Sequence, residues 1–340
     1  MPTNRQWHLV RRPVGLVRPS DFDLREEPVR LPGPRQVLVR SDYLSIDPAN
    51  RACMWSEETY LPAQPLDTVV RGLGIGVVEH SSHPLYPVGS RVSGVLGWQD
   101  YALMSGDDPL LIRLPDEPAI PATMYLGLLG HIGMTAYFGL LEIGRPKQGD
   151  TLVVSAAAGA VGSLVGQIGK IHGCRVIGIT DSADKCHWTR DELGFDAAIN
   201  YKMGNSFKKL KELCSAGIDI YFDNVGGPLL EDVLNLINLR SRIVACGMLC
   251  VYNDIGGMLS LPAGPNNLLN LVLKRARIEG LVCLDYAHRA TEAIDALSRW
   301  HLEGRMKYRV EVIEGLQNTP RALNMLFDGS NTGKLLVKVH

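Results

Sequence analysis

The chain has 340 residues, 46% of them apolar and 21% charged, which excludes a disordered or fibrous polypeptide and gives material for about two domains. Its 35 basic and 36 acidic residues leave a net charge of −1, and neither sign gathers into a long block, so nothing electrostatic recruits nucleic acid or an anionic membrane. The 7 cysteines are scattered with no Cys-x-x-Cys pair, the usage of reduced thiols in a cytoplasmic protein and not of a disulfide framework.

Arg5, Arg11 and Arg12 interrupt the N-terminus before an apolar run of signal-peptide length develops, so the chain is expected to start near Met1. From Trp7 to about Asp116, alternating runs such as Gln36–Arg40 and Gly74–Glu79 are broken by the turns Pro32-Gly-Pro34 and Pro87-Val-Gly89. This pattern predicts a β-rich first domain over residues 1–126, with no helical period of useful length. Ala119–Leu141 and Thr151–Gly169 contain no Asp, Glu, Lys or Arg, and by length either could span a bilayer. Pro121, His131 and repeated glycines in the first, and a change from β-branched to small residues in the second, fit buried elements of a soluble fold instead.

Past Pro121 the texture becomes strand, glycine turn and helix. Strands are predicted at Thr151–Ser155, Arg175–Thr180, Ala197–Tyr201, Ile218–Asp223, Arg242–Cys246 and Arg277–Val282, with helices from the first glycine turn to Gly173 and from the second strand through Leu193. Apolar strands alternating with helices predict a parallel sheet covered on both faces, a doubly wound Rossmann α/β fold over 127–305. A helix over Thr291–Glu303 is followed by strands at Tyr308–Ile313 and Lys334–Val339, with a short helix Pro320–Phe327 between them. Residues 306–340 are therefore assigned back to the first domain, which makes the α/β domain an insertion.

Ser155-Ala-Ala-Ala-Gly-Ala-Val-Gly-Ser163 follows the first of these strands and opens a helix. Gly159 and Gly162 take the second and third glycine positions of G-x-G-x-x-G, and Ala157 replaces the first. With Ala160 and Val161 between them they form the expected pyrophosphate loop, a reading that outweighs mere small-residue packing because of the strand and helix around it.

That loop, with Leu193-Gly-Phe-Asp196, Asn200-Tyr-Lys202, Phe222-Asp-Asn-Val-Gly-Gly227 and Ser330-Asn-Thr-Gly-Lys334, resembles the zinc-independent medium-chain dehydrogenase/reductases. The likeness is to the branch of leukotriene hydroxydehydrogenase/prostaglandin reductases, plant double-bond reductases and bacterial curcumin reductases. It runs nearly end to end, through Ser45-Ile-Asp-Pro48, Arg71-Gly72, Gly97-Trp-Gln99 and Gly133-Met-Thr-Ala-Tyr137. It implies a GroES-like first domain, a homodimer, and NADPH-dependent reduction of the activated carbon–carbon double bond of small α,β-unsaturated ketones and aldehydes. No metal is expected: Arg71–Gly76 has no His-Glu pair where zinc enzymes carry one, Cys246 and Cys250 lack a partner pair, and His80-Ser-Ser-His83 reads as a solvated turn.

Cofactor preference is a divided signal. Asp181 stands about 20 residues past the last glycine, where an acid binds the ribose hydroxyls of NAD(H) and repels a 2′-phosphate. Against it, Lys185 and Tyr201 match the family's residues for the 2′-phosphate and the adenosine ribose, and a lysine in the first turn of a helix needs an anion nearby to offset the dipole. NADP(H) is favoured, with NAD(H) kept as the alternative. The resemblance also carries over Asn224, Cys246 and Gly247 from the segment beneath the nicotinamide, Leu281, Val282 and Cys283, and Asn331 from the returning tail, which implies a site between the domains.

Reducing an enone builds negative charge on its carbonyl oxygen, so the chemistry asks for a donor. Tyr252 matches the family tyrosine that faces the substrate, and a phenol, protonated at neutral pH, donates to an enolate oxygen or relays a proton. Asn50 stands in a stretch where members often carry a bulky side chain, and with Tyr286 it is assigned to the substrate pocket. Two other readings stay open: a quinone reductase of the same superfamily and, from a different class, a non-catalytic NADP-binding protein.

Overall fold

A computed structural model describes residues 2–116, 120–253 and 264–340. Met1 and Ala119, named above at the chain start and at the head of a charge-free stretch, lie outside the described residues. The described residues divide into two compact units, one of residues 2–126, 252–253 and 310–340, the other of 127–251 and 264–309.

The second unit is built on a 6-stranded parallel sheet in the order Ala197–Asn200, Arg175–Thr180, Thr151–Ser155, Ile218–Asp223, Ile237–Ala245, Arg277–Gly280. Counted along the chain this is 3-2-1-4-5-6, the order of a dinucleotide-binding sheet, whose ligand crevice opens beyond the carboxyl ends of the first and fourth strands, where the winding reverses. Every residue of Thr151–Ser155 is buried. Val153, Ile177, Tyr221 and Ile243 share one core with Leu210, Val233 and Leu234, from the helices Ser206–Leu213 and Gly227–Leu234. On the opposite face the helix Ala160–Ile171 packs so closely that a Cβ on Gly169 would stand 2.5 Å from Leu152.

Beyond shifts of one or two residues at element ends, two elements differ from the sequence expectation. The fifth strand starts at Ile237, not Arg242, because a register shift and a left-handed Arg240 (φ 59°) interrupt the apolar run that marks it. The helix expected through Leu193 is the α-helix Ala183–His187 followed by a π-helical turn, Trp188–Glu192.

In the first unit a 7-stranded sheet runs Val310–Glu314, Lys334–Lys338, Gln36–Ser45, Gly74–Ser81, Arg91–Gly94, Ile112–Arg113, with Tyr101–Ser105 paired to Gln36–Arg40. The tail strand pairs antiparallel with Tyr43–Ser45, which sews the end of the chain to its beginning. A helix does occur here, Pro48–Cys53, set by Asp47 as N-cap and Pro48 in the first turn. Six residues are too few to leave a readable helical period. Among the described residues no helix is long and apolar enough to cross a membrane.

Candidate active site

The phosphate loop begins where Ala156, not Ala157, takes the left-handed conformation (φ 48°). Alanine adopts it at a cost of about 1 kcal/mol, and the turn is then closed by Gly159 N donating to Ala156 O (2.8 Å) and Ala157 N donating to Ile179 O (3.0 Å). A Cβ on Gly162 would lie 2.4 Å from that same Ala156 O and 2.9 Å from Ala157 Cα, so the third glycine is demanded by the loop's own backbone. A Cβ on Gly159 would meet only Ala156 O, at 3.1 Å, with nothing else within 4 Å. Gly159, with Ala160 and Val161 after it, is the open side of the loop.

At the end of the second strand, parallel register sets Thr180 against Asn200 and so brings Asp181 beside Tyr201 and Lys202. Lys185 Nζ lies 2.8 Å from Asp181 Oδ1, and Lys202 Nζ lies 3.8 Å from Oδ2. The side chains of Asp181 and Lys185 are 11% and 13% exposed, against 53% for Lys202. Ser182 caps the short helix by accepting from Lys185 N (3.2 Å). The anion that a first-turn lysine requires is thus the chain's own carboxylate. Sequence reasoning set Asp181 and Lys185 against each other and passed over Lys202; the register of the two strands was the signal that would have found it.

The ends of the first and fourth strands are clamped by Asp223, a buried carboxylate that accepts from Ser155 Oγ (3.1 Å), Tyr221 Oη (2.9 Å) and the backbone N–H groups of Val225 (3.0 Å) and Gly226 (2.9 Å). Burial pushes its pKa up, and these donors oppose the rise. Asn224 braces the same corner, its Nδ2 donating to Ser155 O at 2.8 Å. Cys246 N and Gly247 N both donate to Asp223 O (2.9 and 3.1 Å), which lays the following segment along the fourth strand's exit. Although Cys246 is half-exposed as a residue, its thiol is enclosed; burial, with Cys283 and Asp223 nearby, pushes it up to about 12, so it is no thiolate at neutral pH.

Leu281 N donates to Ala245 O (3.0 Å), leaving Leu281 buried and Val282 and Cys283 half-buried past the sixth strand. Tyr286 lies flat on Phe138, with centroids 4.7 Å apart and planes 8° apart, and burial raises its hydroxyl pKa. Gly159, Lys185, Tyr201, Asn224, Cys246 and Leu281 therefore each follow the carboxyl end of one strand of the same sheet. Residues far apart in the sequence are brought to one edge of the unit.

Tyr252, Asn50 and Asn331 belong to the first unit. The Tyr252 ring stands edge-on between Trp55 (5.7 Å) and Phe327 (6.4 Å), and Trp55 Nε1 donates to its carbonyl at 3.4 Å. Asn50, expected to make a pocket polar, has both ends of its amide engaged: Oδ1 accepts from Asp47 N (2.8 Å) and Nδ2 donates to Arg71 O (3.0 Å). That is a capping and tethering role for the helix Pro48–Cys53. Asn331 Nδ2 donates to Gly333 O at 3.3 Å. Sequence reasoning missed Lys334 as a structural partner: its buried Nζ donates to Ile46 O (2.7 Å) and Asp47 Oδ1 (2.8 Å). Among the described residues no three His, Cys, Asp or Glu side chains gather closely enough to hold a metal ion.

Comparison with known proteins follows the same division of the chain. A family described as "N-terminal domain of oxidoreductase" matches residues 5–112, and one described as "Zinc-binding dehydrogenase" matches residues 160–299. The chain is 42% identical over 341 residues to the NADPH-dependent curcumin reductase of Escherichia coli (strain K12), covering 99% of this chain and 97% of that one. It is 37% identical over 342 residues to the 2-alkenal reductase (NADP(+)-dependent) of Nicotiana tabacum, covering 99% and 98%. The crystal structure of CurA in complex with NADPH from Vibrio vulnificus matches it with a TM-score of 0.92 at 41% identity, over 99% of each chain. By full-length identity the chain belongs to the zinc-independent medium-chain dehydrogenase/reductases, in the branch that holds the curcumin, alkenal and prostaglandin reductases.

Proposed function

We propose that this chain is an NADPH-dependent reductase of the activated carbon–carbon double bond in α,β-unsaturated ketones and aldehydes. The observation that carries the proposal is the row of nucleotide-type positions along the carboxyl edge of a 3-2-1-4-5-6 sheet, in a chain 42% and 37% identical to reductases named for NADPH or NADP(+). The residues fit that cofactor: Gly159 leaves the phosphate loop open on its outer side, and two lysines converge at the end of the second strand. Gly159 to Gly162 would hold the pyrophosphate, Lys185 and Tyr201 the adenosine end, and Asn224, Cys246, Gly247, Leu281 to Cys283 and Asn331 the nicotinamide end.

Bound NADPH supplies the hydride. The chain itself must orient the alkene and meet the negative charge that gathers on the carbonyl oxygen. The second of these roles falls to Tyr252, whose hydroxyl donates to the oxygen as the enolate forms, an interaction worth about 3 to 4 kcal/mol when the donor is fixed in advance. Trp55 and Phe327 fix it, by holding the ring from two sides. Tyr286 is kept as a wall of the substrate pocket.

The finer setting belongs to the same proposal. Seven scattered cysteines with no Cys-x-x-Cys pair suit the reducing cytoplasm. A homodimer is supported by the apolar residues Leu268, Leu269, Val272 and Leu273, all 48% exposed or more, just before the sheet's edge strand Arg277–Gly280; light scattering of the purified protein tests it.

The activity test is a screen of one enone, one enal and one quinone with NADPH and with NADH. Saturated ketone or aldehyde formed with NADPH is the expected result. Quinone turnover with the alkenes untouched would make the chain a quinone reductase, and nucleotide binding without turnover of any of the three would make it a binding protein.

A further inference from the structure

We propose that Asp181 is a built-in stand-in for the 2′-phosphate: in the free chain it neutralises Lys185 and Lys202, NADPH binds by displacing it from them, and this competition sets how strongly NADPH is preferred over NADH. The inference rests on the reading of the chain as NADPH-dependent.

An acid at the end of the second strand selects NAD(H) when its oxygens are free to accept the ribose hydroxyls and its charge is unopposed. Neither holds for Asp181. Oδ1 is 2.8 Å from Lys185 Nζ and Oδ2 is 3.8 Å from Lys202 Nζ, so two ammonium groups face the carboxylate that would stand unopposed in an NAD(H) site. A dianionic 2′-phosphate approaching this corner meets two lysines, with Asp181 as the competitor already paired to them.

The competitor also has a reason to be there. Lys185 is the middle residue of the five-residue helix Ala183–His187, and its side chain is only 13% exposed, so burying its ammonium without a nearby anion would be costly. With no anion beside it the ammonium would be poorly placed; Asp181 holds it in position until a phosphate arrives. Pre-ordering lowers the entropic cost of binding, while the need to displace a carboxylate lowers the affinity finally reached. The opposing effects fall on the 2′-phosphate alone. NADH, which lacks it, leaves the Asp181–Lys185 pair undisturbed.

The test reads binding, not turnover. Affinities of the apoprotein for 2′,5′-ADP, 5′-AMP, NADPH and NADH are measured by calorimetry for wild type, Asp181→Asn and Asp181→Ser, with circular dichroism to establish folding of each variant. Both substitutions should tighten 2′,5′-ADP and NADPH on the order of tenfold and move 5′-AMP and NADH by less than about threefold. In a Lys185→Met background the gain should vanish, because the competition acts through that ammonium. Unchanged or weaker 2′,5′-ADP binding in both folded variants would overturn the proposal, as would an equal gain for 5′-AMP, which would mark a diffuse charge effect. If wild type binds neither NADPH nor 2′,5′-ADP, the functional reading fails and this inference with it; if wild type binds both and the variants do not tighten, only this inference fails.

Discussion

Lys334 reaches Asp47 in the first unit and Lys185 reaches Asp181 in the second, each over 2.8 Å. The Lys334 side chain is 1% exposed, and the chain satisfies what the pair leaves over: Nζ also donates to Ile46 O, and Ser45 Oγ donates to Asp47 Oδ2. The two charges oppose one another there, and backbone and hydroxyl groups of the same unit complete the cluster. At Asp181 a second lysine stands nearby, and the cluster lies at the carboxyl edge of the sheet, beside the positions proposed for the nucleotide. The same two residue types at the same distance thus make a rivet in one place and an exchangeable contact in the other. The surroundings decide which.

The largest way to break this comparison is Lys334→Met. It leaves Asp47 buried without its cation, and breaking a buried pair from one side costs about 3 to 5 kcal/mol. Urea unfolding followed by circular dichroism measures it; a loss under about 1 kcal/mol would mean that the pair is not a rivet. Burial holds Lys334 below the usual lysine range, so the folded chain releases this proton more readily than the unfolded chain does. As pH rises from that lowered value toward 10.5, this group's contribution to stability should therefore rise.

The glycine loop after the first strand sets a residue its own backbone demands beside one left open, the second being the proposed ligand-facing position. Gly162→Ala drives a Cβ against Ala156 O at 2.4 Å, backbone that cannot give way like a side chain tip, and should cost about 1 to 3 kcal/mol of stability. Gly159→Ala meets one atom at 3.1 Å and should leave unfolding nearly unchanged while weakening nucleotide binding. If the two exchange these phenotypes, the open side of the loop has been assigned to the wrong glycine.

Next in size is Tyr252→Phe, which keeps the ring between Trp55 and Phe327 and removes only the donor. Other donors, water among them, can still serve the enolate, so kcat on an enone should fall on the order of a hundredfold, not to zero, with kcat/KM falling in step and NADPH affinity unchanged. Equal turnover under conditions where hydride transfer limits the rate would leave Tyr252 with a packing role only.

The sequence was most legible where local signals stand alone. Thr151–Ser155, Arg175–Thr180 and Ile218–Asp223 are strands to the residue, because each is an apolar run stopped by a turn or capping residue. That the positions proposed for the nucleotide follow strand ends was legible for a related reason: they are short motifs just past apolar runs. What escaped depends on long-range pairing. Lys334 and Asp47 are 287 residues apart, so no spacing reveals them, and the engagement of Asn50 with Arg71 O is likewise a tertiary fact. The divided cofactor signal at Asp181 was legible as a conflict; that the two residues are partners needed the geometry.

The smallest expected effect sharpens the comparison most. Lys185→Met removes the cation from Asp181 as Lys334→Met removes it from Asp47, yet it should change unfolding by no more than about 1 kcal/mol. Two circumstances reduce the cost. Lys202 remains 3.8 Å from the carboxylate, and the Lys185 side chain is 13% exposed against 1% for Lys334. The loss should appear instead in binding, as weaker affinity for 2′,5′-ADP with 5′-AMP little changed. Matched urea curves for Lys334→Met and Lys185→Met, read beside that pair of affinities, place the two substitutions on separate axes. Equal destabilisation by both would mean that Asp181 and Lys185 are as much a rivet as Asp47 and Lys334, and that the ligand-facing character assigned to the second unit's pair is wrong.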